Sequence, residues 1–370
     1  MTPTSLVICH PRITPVAALT AIVGAAAACS DSNGGGFTTP VTEISCNLDR
    51  SLLITNLAPN AIPAINNPQM VLPDDPEASY LRPEDRVLGV VINGEARAYP
   101  HNILWHHEII NDEVAGERIS VTFCPLTGSG LAFRPSIGAR ELDLGVSGLL
   151  FANNLVMYDR TDGEVYGPQL AVQGVCESFV GNTLELHPVQ EMSWERWQQL
   201  HPDTRVVTGE TGFDRNYQFY PYRDYNVIDN PELIVPMTVD NSRGLKERVL
   251  AIRNGDGGRG YPFLELADIG FYAAINEVVT GIPTAIFYDG RSGKAALAFD
   301  ARVSGQTLTF QAAPEGFWTD DETNSTWTFD GMAVDGPLAG ERLTTRSDAY
   351  TLFWFAWRHF QPNGDMFAAP

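Results

Sequence analysis

The chain repeats itself, and this constrains its fold more than any other feature. "INNPQMVLP" begins at Ile65 and "IDNPELIVP" at Ile228. "EDRVLGVVINGEARAYP" ends at Pro100, and "KERVLAIRNGDGGRGYP" ends at Pro262. "NDEVAGERISVTF" begins at Asn111 and "NEVVTGIPTAIF" at Asn276, and "LAF" recurs at Leu131 and Leu297. "DRT" at Asp159 answers "DET" at Asp321, and "WERWQQLHP" at Trp194 answers "WFAWRHFQP" at Trp354. The blocks keep one order at a spacing of about 160 residues. That period is too long for a solenoid repeat and is the size of a whole domain. The expectation is two homologous modules from an internal duplication, packed as one body.

Each copy reads as many short strands and few helices, a β-rich α+β fold. "RVLGVVIN" and "ARAYP" flank Asn93-Gly94, a favoured hairpin dipeptide. "HNILWHHEII" has helical spacing. Strands follow at "RISVTF", "SGLAF", "ELDLGV" and "NLVMYD". "SWERWQQLHP" is a short helix with Ser193 as N-cap and Pro202 beyond its end. The first module spans residues 45–208 and the second 227–370. Residues 209–226, "GETGFDRNYQFYPYRDYN", are rich in Tyr and Phe and read as a packed connector.

Residues 1–29 stand apart. They contain no acidic residue and carry the apolar run Ile13 to Ala28, too short and Ala-rich for a membrane span. They read as an export signal. "AAAC" resembles a bacterial lipobox, which makes Cys29 the lipidation site, followed by a polar, Gly-rich tether over 30–44. The expected location is the cell envelope, on the periplasmic side of a bacterial membrane, with the membrane as partner through the lipid. A net charge of −21 leaves no basic patch for nucleic acid. The small-molecule or protein partner is not specified.

The two copies differ in reactive residues. The first carries "WHHEIIND", where the second has Tyr272 against His107 and Ala273 against Glu108. Counted from these blocks, Tyr288 stands opposite Cys124. The first module is therefore the expected site and the second a degenerate scaffold. Cys124 ends a strand before Pro125 and a Gly-rich turn, a place where a thiol is presented. His107 is the candidate base, with Glu108 or Asp112 to orient it. Backbone N–H groups around Thr127 to Gly130, Gly128 and Ser129 included, are candidate donors to an oxyanion. Tyr158 and Asp159 are further ligand-binding candidates.

One alternative is a metal site on His107, Glu108 and Cys124. Asn111 stands where a zinc-protease helix needs its second His, so that class is rejected. No cofactor is required, and a metal ion stays open. The other alternative is a non-catalytic binding or structural lipoprotein. If Cys124 is a working thiol, Cys46 and Cys176 are the pair left to form a disulfide in an exported chain.

"NAIPAINNP", "ARAYP", "HEIIND", "TFCPLTGSGLAF", "NLVMYDRTDG", "SWERWQQLHPDT" and "FWFAW" together resemble domain of unknown function 3179, a bacterial family. The resemblance runs from about Leu53 to Phe367. It implies an exported or membrane-attached protein without an assigned activity. Many members carry a second Cys three residues after the first, where this chain has Thr127, and Trp where it has Tyr166. A local dithiol cycle is therefore not expected here.

Overall fold

The computed structural model describes residues 44–291 and 293–370. The signal segment, Cys29 and the tether up to residue 43 lie outside the described residues.

In chain order the first half contributes β1 (Arg86–Ile92), β2 (Glu95–Pro100), α1 (His101–His107), β3 (Ile109–Val114), β4 (Glu117–Cys124) and β5 (Ser129–Phe133). Then come β6 (Leu144–Phe151), β7 (Asn154–Asp159), β8 (Gln190–Ser193), α2 (Trp194–Leu200) and β9 (Arg205–Val207). The second half contributes β10 (Arg248–Asn254), β11 (Gly257–Pro262), α3 (Phe263–Ile269), β12 (Tyr272–Val279), β13 (Ile282–Asp289), β14 (Ala295–Asp300), β15 (Ala349–Phe353), α4 (Trp354–Phe360) and β16 (Asp365–Met366). The protein is β-rich with few, short helices.

The β1–β2 turn places Asn93 and Gly94 at φ 49° and 84°. Both are in the left-handed region that an Asn-Gly hairpin turn requires. Helix α1 is shorter than its spacing suggested, because Glu108 turns left-handed and Ile109 opens a strand. Helix α2 starts where expected, with the Ser193 hydroxyl accepting the N–H of Arg196 at 3.3 Å.

One sheet runs β8-β1-β2-β9, antiparallel at the first two pairings and parallel at the third. The sheet β15-β10-β11-β16 has the same order and senses as those four strands, while the first sheet carries a fifth, Met70–Val71, antiparallel beyond β9. Hairpins β3-β4-β5 and β12-β13-β14 also match in order. The block at Ile228 departs from this parallel. Ile65–Asn66 pairs with β3 as a short strand, whereas the second block forms no strand, and its Val235 exchanges two hydrogen bonds with the Asn153 side chain.

The two halves do not have separate cores. Along β1, Leu88, Val90 and Ile92 face Ile110, Val121 and Phe123 of their own half, while Val87 faces Phe287, Leu297 and Phe299 of the other. Along β10, Leu250 and Ile252 face Ile275 and Ile286 of their own half, while Val249 and Ala251 face Leu131 and Phe133 across the molecule. Each central sheet is thus buried on both faces, which is why these strands read as near-continuous apolar runs. A one-residue slip of either strand would exchange the two cores. Trp197 lies flat on β1 at Gly89, where a Cβ would sit 2.1 Å from its ring. Cys46 and Cys176 are joined by a disulfide with Cα atoms 4.0 Å apart.

Candidate functional site

The strand β4 delivers Cys124 to its end, but the turn that follows is not open. Residues 124–133 are buried throughout. Gly128, at φ 60°, lies under the ring of Phe353 from the second half, which a Cβ would approach to 2.6 Å. Phe353 N also donates to Thr127 O at 2.8 Å. The expected accessible thiol is therefore corrected. The Cys124 Sγ donates to Asn153 O at 3.5 Å. Burial and then the nearby Glu108 charge push its pKa up to about 11. Reactive thiols have the opposite shift.

Thr127 and Ser129 are likewise engaged. Their hydroxyls bond each other at 2.8 Å, Ser129 Oγ donates to Gln169 Oε1 at 2.8 Å, and Asn154 Nδ2 donates to Thr127 Oγ1 at 3.0 Å. Gln169 Nε2 completes the set on Thr122 Oγ1 at 2.7 Å. A satisfied buried network of this kind fixes a turn and leaves nothing for a ligand.

His107 does not partner Cys124. Its Nδ1 lies 2.7 Å from Pro63 O and its Nε2 2.7 Å from Tyr217 Oη. A carbonyl can only accept, so Nδ1 carries the proton, and Nε2 accepts from the tyrosine. Burial lowers the His107 pKa to about 4, consistent with that neutral tautomer. The lone pair a base would use is already taken. Asp112 is no orienter either. It accepts from Arg97 Nη1 at 2.6 Å and Tyr99 Oη at 2.7 Å. Among the described residues no three His, Cys, Asp or Glu side chains are grouped to hold a metal. The set His107, Glu108 and Cys124 is therefore not assembled.

Glu108 is the residue the fold singles out. It ends α1 at φ 56°, ψ −30°, a left-handed conformation that costs a non-Gly residue on the order of 1–3 kcal/mol. It is 4 % exposed, and its carboxyl has no ion pair or hydrogen bond among the described residues. Burial alone raises its pKa to about 8. At neutral pH it is an acid holding its proton. It faces a cavity of about 150 Å³ walled by Leu57, Ile62, Leu126, Val146, Leu149 and Tyr222. The connector closes this side. Tyr222 Oη donates to Trp105 O at 3.3 Å, and Tyr225 Oη to Leu126 O at 3.0 Å. The aromatic richness of residues 209–226 was the sequence signal for these walls. Neither Tyr158 nor Asp159 lines the cavity. Asp159 caps its own turn, accepting from Thr161 N at 3.0 Å and from Arg140 at 3.0 Å.

Two registers are corrected. Counted from the turns Ala115-Gly116 and Thr280-Gly281, Asp289 falls at the position of Cys124, and Tyr288 at that of Phe123. Ala273 keeps its place opposite Glu108. Asp159 N bonds Glu164 O at 2.9 Å and Asp320 N bonds Ser325 O at 3.2 Å in the same kind of turn. Asp320 thus holds in its turn the place that Asp159 holds, one residue before the sequence match.

The family described as "Protein of unknown function (DUF3179)" matches residues 59–364. No curated protein and no solved structure matches the chain.

Proposed function

The chain belongs to the DUF3179 family of proteins of unknown function, and from that premise we propose an exported, lipid-anchored envelope protein that binds a small uncharged molecule beside Glu108. Its two halves descend from one module, a reading supported by the repeated blocks and the common strand order. The first half keeps the site and the second, with Ala273 in place of Glu108, serves as scaffold. The lipobox-like "AAAC" supports anchoring at Cys29.

The observation that carries the binding reading is Glu108 itself: a strained, buried carboxyl with no partner among the described residues, on the wall of an apolar cavity. A dry apolar cavity of about 150 Å³ is large enough for a benzene ring, and this one adds the protonated Glu108 carboxyl as a hydrogen-bond donor, with Asn56 also in its wall. The fitting ligand has a compact apolar body and one oxygen acceptor. A thiol reaction at Cys124 is the second reading, prompted by the nearness of Glu108, although the Glu108 charge raises the thiol's pKa and so opposes thiolate formation. Glu108 rather than His107 would then be the base. Moving a proton from a thiol near 11 to a carboxylate near 8 costs about 4 kcal/mol before any bond forms, so binding is the better supported use.

Calorimetry with acetophenone, an aromatic ketone that only accepts hydrogen bonds, tests the reading. Wild-type protein should bind it at pH 6 and lose on the order of tenfold in affinity by pH 9.5, as Glu108 gives up its proton. Glu108→Gln keeps a donor and should bind without that pH dependence. Absence of acetophenone binding at pH 6, or equal affinity at both pH values, contradicts it.

A further inference from the structure

A second cavity, of about 180 Å³, opens where the two halves meet, on the other side of the Cys-Pro turn from Glu108. Pro125 borders this one, whereas Leu126 borders the first. Tyr220 and Tyr222 of the connector divide in the same way. Arg86, which opens β1, and Arg248, which opens β10, both line it. They converge on one oxygen, Glu191 Oε1, at 2.6 and 2.7 Å. Two guanidinium groups on one carboxylate leave a surplus positive charge at the base of the cavity.

The donors there are incompletely used. Arg86 spends Nε on Glu191 and Nη1 on Gly293 O at 2.5 Å, and its buried Nη2 has no partner among the described residues. His101 is 2 % exposed, and its Nε2 stops 3.7 Å from Glu191 Oε1 without a hydrogen bond. Buried polar atoms are rarely left so. The outer edge carries the opposite charge, in Glu84 and Asp85. Trp105 and Tyr220 also line the cavity, and their rings meet edge to face at 5.0 Å.

We propose that this cavity binds a zwitterion of amino-acid size, with its carboxylate toward Arg86, Arg248 and His101 and its ammonium toward Asp85 and Glu84. A carboxylate beside the two guanidinium groups balances the surplus charge. An ammonium beside an aromatic face and two carboxylates is held by cation–π and ionic attraction together. The cavity, at about 180 Å³, has room for such a ligand. The site is separate from the Glu108 cavity and does not depend on the binding reading there.

The test is calorimetry on the mature protein with glycine, L-alanine, L-leucine and L-phenylalanine, and with 4-methylpentanoate and isopentylamine as the two halves of leucine. At least one amino acid should bind. Each half-molecule should bind roughly tenfold or more weakly than leucine. Arg248→Gln should weaken amino-acid binding by a similar factor. Asp85→Asn should weaken leucine without changing 4-methylpentanoate, and it covers the case in which the arginine variant fails to fold. Glu108→Leu should leave these affinities unchanged. No heat from any of the four amino acids, or 4-methylpentanoate binding as tightly as leucine, overturns the proposal.

Discussion

Replacing Glu108 by Gln should stabilise the protein, and only at the alkaline side. Burial raises the Glu108 pKa from 4.5 to about 8. Below the lower value the carboxyl is protonated in both folded and unfolded chains, and it contributes no pH dependence. Between the two values the unfolded chain releases the proton and the folded chain keeps it, so stability falls as pH rises. The slope is about 1.4 kcal/mol per pH unit, and the total by pH 8 is about 4–5 kcal/mol. Above that the penalty is constant. Gln has nearly the same shape and no charge, so the variant escapes the penalty. Urea denaturation of wild type and Glu108→Gln at pH 4.5, 6 and 8.5 reads the difference directly, since titrations elsewhere cancel between the two proteins. The variant should gain on wild type by several kcal/mol across that range. A difference that stays flat with pH would refute the reasoning, because it would mean the carboxyl is solvated or paired in the folded chain.

Opening the Cys46–Cys176 bridge, which spans 130 residues, should cost about 5 kcal/mol in the chain-entropy account. Paired Cys46→Ala and Cys176→Ala substitutions and a denaturation midpoint measure it. Cys124 should resist iodoacetamide at pH 8 until the protein is unfolded, since its thiol is buried and held near 11; mass spectrometry of the labelled peptide decides. Cys29→Ala should release the protein from membranes or stall its maturation, as fractionation would show.

The apolar runs made the β-rich class and the places of the main strands legible, and the order of those strands in their sheets was not readable from them. The Asn93-Gly94 turn and the Ser193 cap were readable from local chemistry alone. What local chemistry could not reveal was the sharing of cores. Val87 and Leu88 are neighbours in sequence and face different halves of the molecule. His107 looked like a base because its partner, Tyr217, lies 110 residues away in the connector. Cys124 looked presented because the residue that covers its turn, Phe353, comes from the far end of the chain. Glu108 was visible as a candidate, but its role depends on the removal of every partner around it, which only tertiary packing decides.

The account turns on the protonation of Glu108, and the most direct measurement is its carboxyl ¹³C chemical shift followed against pH in protein labelled at the glutamate side chain, with Glu108→Gln to assign the signal. A midpoint near pH 8 is the predicted result. A midpoint below about pH 5, the range of a solvated carboxylate, would contradict the account.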